Sequence, residues 1–139
     1  MKRALRTVLL LTALAGTLAV AGCGGSDAEA EAEESATPAQ AAAEIDQIET
    51  LLDDALAKYR DGDAEAAEAT VGDAYLEHFE KVEGPLGEED HEFMEELEHR
   101  ISTEIRDEMK NGASADEVAQ MIDETKQDLA KAQSMLQGS

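Results

Sequence analysis

Residues 37–60 read TPAQAAAEIDQIETLLDDALAKYR. Thr37 is a capping residue, Pro38 fits the first helical position and Gln40 the third, so a helix opens here. Ile45, Ile48, Leu52, Leu56 and Tyr59 then recur at steps of three and four and form one apolar face. Asp61-Gly62-Asp63 interrupts that face and ends the helix.

The same reading extends toward the C-terminus. Asp63 caps a second helix whose inner face is Ala64, Ala67, Val71, Tyr75, Phe79 and Val82, and Gly84-Pro85 is expected to end it. A third helix is expected from near Glu88, with Met94, Leu97, Ile101, Ile105 and Met109 on one side and Asn111-Gly112 as its stop. Ser114-Ala115-Asp116-Glu117 is a second capping box. It opens a fourth helix with Val118, Ile122, Leu129, Ala132 and Leu136 at heptad-like spacing. No segment reads as a strand.

The expected fold class is all-α: a four-helix up-and-down antiparallel bundle over residues 37–139, with helices of about 20 residues and short turns. Two helical hairpins pairing with another subunit are the alternative. Tyr59, Tyr75, Phe79 and Phe93 are the aromatics, so the core relies on Leu, Ile, Val, Met and Ala. Modest stability and no large internal pocket are expected from such a core.

Working toward the N-terminus, residues 23–36 begin at the lone cysteine and continue as a small, acidic run without a large apolar side chain. Such a segment buries too little surface to offset ordering entropy and reads as a flexible linker. Residues 1–22 combine a basic start (Lys2, Arg3, Arg6), an apolar stretch from Val8 to Val20 and a small-residue exit. These are the parts of a secretory signal peptide. At about 13 residues the apolar stretch is short of the roughly 20 that a spanning helix needs.

The exit Val20-Ala21-Gly22-Cys23 resembles the lipobox of bacterial lipoproteins. That resemblance implies acylation of Cys23, which becomes the mature N-terminus and anchors the chain on a membrane. An ordinary secreted protein with a cysteine near its cleavage site is the rival reading. A single cysteine forms no internal disulfide, and acylation gives it a use. Each buried acyl methylene contributes about 0.8 kcal/mol, so several chains hold firmly. The expected location is the cell envelope, lipid-anchored on the extracytoplasmic side, which in a Gram-negative cell faces the periplasm. Gly24, standing where an Asp would favour inner-membrane retention, leaves outer-membrane sorting open.

The 33 acidic residues against 11 basic ones give a formal charge of −22. Loss of Lys2, Arg3 and Arg6 with the signal would leave eight basic residues and a charge of −25. Nucleic acid and anionic lipid surfaces are therefore poor partners. The excess fits a cation-binding surface, a solvated face that resists aggregation, or a saline habitat. No Gly-rich phosphate loop, Gly-x-Ser-x-Gly or His-Glu-x-x-His is written in the chain, so no catalytic role is expected.

Asp73-Ala74-Tyr75, Phe79-Glu80, Leu97-Glu98, the Gly112-Ala113-Ser114 turn, and Leu129, Ala132 and Leu136 follow one another in order. Over roughly Asp63 to Leu136 this order resembles a helical extracytoplasmic domain associated with bacterial iron permeases of the fungal high-affinity type. The permease's membrane-spanning part and its Arg-Glu-x-x-Glu motif are absent. The segment after Phe79-Glu80 also departs from the family pattern, as Lys81-Val82-Glu83-Gly84-Pro85. The resemblance implies an accessory that meets iron, or another divalent or trivalent metal, outside the cytoplasmic membrane. An iron permease or another envelope protein is the implied partner.

Carboxylates with imidazole suit such metals, and bundles supply them from facing helices. His91, Glu95 and His99 are four residues apart on one helix face, about 100° from the apolar stripe. The same pattern describes a solvated outer face. Glu80, Glu98 and His78 form a second candidate set between helices two and three, with Glu83 near the same edge. Helical winding turns Glu104 and Glu108 toward the core side of helix three, where they would snorkel at a helix end or pair with Lys126 or Lys131. Met94, Met109, Met121 and Met135 raise copper as an alternative, although Met at helical spacing is ordinary core filler. A non-catalytic interaction or spacer lipoprotein without a metal is the competing functional reading.

Overall fold

The computed structural model describes residues 36–138. The expected signal peptide, Cys23 and the linker up to residue 35 lie outside the described residues. Among the described residues all regular structure is helical, and no helix is long and apolar enough to cross a membrane.

Helix α1 spans Pro38–Arg60. Thr37 Oγ1 accepts from the Gln40 amide at 3.3 Å while Gln40 Oε1 accepts from the Thr37 amide at 2.9 Å, so the expected capping box is formed. Gly62, at φ 89°, supplies the left-handed turn that ends the helix. Ile45, Ile48 and Leu52 are fully buried. Each such burial contributes about 1.5–3 kcal/mol against about 1 for the cap, so the apolar stripe holds α1 and the cap sets its register.

The second rod is longer than its sequence implies. It runs as α2 (Ala64–Asp73), a π-helical turn over Ala74–Phe79, and α3 (Glu80–Glu89). Gly84-Pro85 does not end it; Pro85 lies inside α3, buried beside Leu86. A residue before proline normally leaves the α region because its Cβ meets the proline ring. Gly84 has no Cβ, and the burial of Pro85 and Leu86 outweighs the missing amide. The break falls instead at Asp90, whose extended backbone and Oδ1, accepting from the Phe93 amide at 3.1 Å, cap the third rod.

That rod therefore starts at His91 rather than near Glu88. It comprises α4 (His91–His99), a second π-helical turn over Arg100–Glu104, and α5 (Ile105–Lys110). The fourth rod is α6, Ala115–Gly138, with the Ser114–Glu117 capping box formed at its start.

Spacing accounts for the π turns. In α1 and α6 the buried residues alternate steps of three and four, which averages close to the helical period. Ala67, Val71, Tyr75 and Phe79 instead advance by four each time, as do Leu97, Ile101, Ile105 and Met109. A four-residue step overshoots a full turn by about 40°, so three steps drift about 120° round the helix. One extra residue in a π turn takes up about 100° of that and keeps the stripe on the core. The same rotation leaves Glu104 and Glu108 exposed, not turned to the core.

Helix α1 packs against α6 and α2, and also touches the first π turn and α3; α2 lies on α5, and α3 on α4. Polar clasps cross these seams. Gln133 Nε2 donates to the Ala42 carbonyl at 3.0 Å and to Asp46 Oδ1 at 2.8 Å, and the Tyr59 hydroxyl donates to the Ala113 carbonyl at 2.7 Å. Lys126 pairs with Asp53 at 2.7 Å, and Lys131 sits 3.7 Å from the centre of the Phe93 ring. Neither lysine serves Glu104 or Glu108 in these contacts.

Candidate functional site

The two π turns touch each other, and three carboxylates, of Glu80, Glu83 and Glu98, act on Tyr75 beside them. Tyr75 leaves the first π turn with its ring stacked on Phe79, centroids 6.3 Å apart, and its hydroxyl donates to Glu98 Oε1 at 3.4 Å. Glu98 stands two residues before the second π turn. Glu83 comes from α3, one turn beyond Glu80, and both act electrostatically on Tyr75. Three carboxylates from two rods thus surround one phenol.

Glu83 carries the strain of this arrangement. Its Oε1 is buried and has no hydrogen-bond partner. Burial foremost, then the Glu98 charge, raises its carboxyl above the usual range, with Glu80 adding to the effect and the Tyr75 hydroxyl opposing it. Tyr75 is pushed up to about 12 by its own burial and then by Glu83, Glu98 and Glu80. Like charges near one another disfavour ionisation of each, and a cation among them would reverse every one of these shifts.

Of the six metal-ligand candidates, Glu80 and Glu98 share this cluster. His78 does not join them: its Nδ1 donates to Glu44 Oε2 at 2.6 Å, on α1, where Lys81 Nζ also donates at 3.2 Å to the other oxygen. The His78 contact foremost, against the opposing effect of burial, holds the Glu44 carboxyl below its ordinary value. His91, Glu95 and His99 are all exposed; His91 pairs with Glu95 at 3.3 Å, and His99 turns away to Glu104 at 3.5 Å. Among the described residues no three His, Cys, Asp or Glu side chains stand in metal-holding geometry. The acidic cluster is consistent with that, because carboxylates without a counter-ion repel one another and Glu80 is exposed.

Sequence reasoning missed Tyr75 as a polar participant because it occupies a core-stripe position. It missed Glu44 because the partner lies on another rod. Elsewhere, a groove of about 290 Å³ is lined by Arg100, Glu104, Glu117, Gln120, Met121 and Glu124. Its strongest charges are already satisfied, Arg100 by Asp128 at 2.6 Å and Glu117 by the Ser114 hydroxyl at 2.7 Å. Comparison of the chain with protein-family models, with curated proteins and with solved structures returns no match.

Proposed function

We propose that the chain is an extracytoplasmic lipoprotein, anchored through Cys23, whose four rods form an up-and-down bundle that binds a metal cation. Iron is the cation of choice, and the role is that of a non-enzymatic accessory to an uptake system in the cell envelope. The observation that carries this reading is the buried, unpartnered oxygen of Glu83 beside Glu80, Glu98 and the Tyr75 hydroxyl. A half-buried carboxylate with one oxygen unpartnered either stays protonated or takes a cation, and oxygen donors of this kind suit hard metal ions. The order of motifs that resembles that of iron-permease-associated domains points the same way.

The test is calorimetric titration of the full chain in non-ionic detergent with ferric, ferrous, cupric, zinc and calcium ions at moderate salt. Stoichiometric, selective binding that disappears in Glu98→Ala supports the reading; weak, unselective, salt-sensitive binding refutes it. The rival, an interaction or spacer module without a metal, draws on Leu76, a large apolar side chain left 60% exposed on the first π turn. One exposed leucine is a common surface feature, so it carries less weight than the unpartnered Glu83 oxygen.

A further inference from the structure

We propose that Asn111 is a site of spontaneous deamidation, converted through a cyclic imide to aspartate and isoaspartate, and that the Tyr59 hydroxyl guards it by holding the turn shut. Asn111 is the only asparagine of the chain and is followed by Gly112, and both are exposed between α5 and α6. The chemistry needs that pair. The Gly112 nitrogen attacks the Asn111 side-chain carbonyl carbon and forms a C–N bond. The bond from that carbon to Nδ2 breaks, and ammonia leaves with the proton of the Gly112 amide. Water then opens the five-membered imide at either carbonyl, giving aspartate or isoaspartate. A glycine nitrogen attacks most readily because no Cβ crowds it.

The folded turn blocks the first step twice. Asn111 sits at φ −76°, ψ −5°, so the Gly112 nitrogen is nearly eclipsed with the Asn111 nitrogen and turned away from the side chain it must reach. The Gly112 amide also donates to the Met109 carbonyl at 3.1 Å, and the Ala113 amide to the Glu108 carbonyl at 3.0 Å. Reaction therefore waits for the turn to open, and the open population sets its rate. Two carbonyls of this turn, Ala113 at 2.7 Å and Met109 at 3.3 Å, accept from the Tyr59 hydroxyl. Tyr59 is itself held, because its carbonyl accepts from the Gly62 amide at 3.0 Å in the turn that ends α1. That turn repeats the geometry, with Asp61 at φ −77°, ψ −5°, but its carboxylate has no amide to lose. Isoaspartate at position 111 inserts the β-carbon into the backbone and lengthens the turn. Ala113 is then drawn away from Tyr59, and the clasp between α1 and the α5–α6 turn is released.

The experiment incubates the full chain in non-ionic detergent at neutral pH and follows Asn111 by peptide mapping with mass spectrometry, isoaspartate being separated from aspartate by chromatography. The same chain unfolded in urea gives the unguarded rate. The folded wild type is expected to deamidate at Asn111 at least about tenfold more slowly than the unfolded chain, with isoaspartate among the products. Tyr59→Phe is expected to speed the folded reaction about fivefold, equivalent to the loss of one hydroxyl hydrogen bond of about 1 kcal/mol. Asp90→Ala loses a cap of similar strength at the opposite end of the third rod, and its rate is expected to stay within about twofold of wild type. A rate in Tyr59→Phe equal to that of wild type overturns the guarding role. So does an equal acceleration in Asp90→Ala, which would tie the rate to global unfolding. A folded chain that reacts as fast as the unfolded one, or a product without isoaspartate, overturns the inference as a whole.

Discussion

Replacing Glu83 with Gln removes one negative charge while nearly preserving the side chain's shape, and the structure gives the change two opposite signs. In the metal-free protein the buried Glu83 oxygen has no partner and faces the charges of Glu98 and Glu80. An unsatisfied buried polar group costs about 1–3 kcal/mol. Glu83 is only half-buried, so the lower end applies, about 1 kcal/mol. Glu83→Gln should therefore stabilise the metal-free protein, raising the melting temperature by about 4–8 °C for a domain of this size. The pH dependence has a definite sign. The folded carboxyl titrates above its ordinary value of 4.5, so the native state holds a proton that the unfolded state has released. Wild-type stability falls as pH rises from the ordinary value through the raised one, and the gain in Glu83→Gln appears above that window and fades in acid. With a cation present the sign inverts. At 100 times its dissociation constant a ligand stabilises by about 2.7 kcal/mol, and the variant should lose most of that. Calorimetric melts at acid and neutral pH, with and without ferric ions, separate the two effects. A variant that is less stable than wild type without metal at neutral pH, or that keeps the full metal-induced shift, refutes the reasoning.

Glu44 should show the opposite acid behaviour: its carboxyl is held low by His78, so the stability it contributes is present above the ordinary value and is lost as pH falls through the lowered one. Acid unfolding of Glu44→Gln, followed by circular dichroism, should lack that step. Asp90→Ala removes the cap of α4 and should cost about 1 kcal/mol in urea unfolding, because the Phe93 amide loses its acceptor. Tyr59→Phe should cost about 1 kcal/mol through the lost hydroxyl bond to Ala113 and leave metal-induced stabilisation intact. His91→Ala should change neither stability nor metal binding measurably in the same titrations, since its contact with Glu95 lies in solvent.

Helix positions, caps and the core stripe were legible in the chain because each rests on local chemistry. Thr37 with Gln40 and Ser114 with Glu117 form the boxes their spacing predicts. Pro85 escapes the local rule, staying inside its helix because Gly84 lacks the Cβ that would clash and because Pro85 and Leu86 are buried together. The π turns were written in the unbroken steps of four from Ala67 to Phe79 and from Leu97 to Met109, a period that an ordinary helix cannot keep facing inward. Glu80 and Glu98 could be placed on facing edges from sequence. The pairing of His78 with Glu44 could not, because it depends on how α1 lies against the first π turn.

The one surplus residue in each π turn has a genetic meaning. A plain α-helix and the first π turn differ by a single codon, and the natural one to remove is that of exposed Leu76, which lies outside the core. Its deletion would return the rod to ordinary winding and leave the helix on either side facing as it does now, because the surplus residue is the one the π turn absorbs. An in-frame loss of three nucleotides thus separates a rod with the π turn from one without it. The step is small enough for either form to arise from the other.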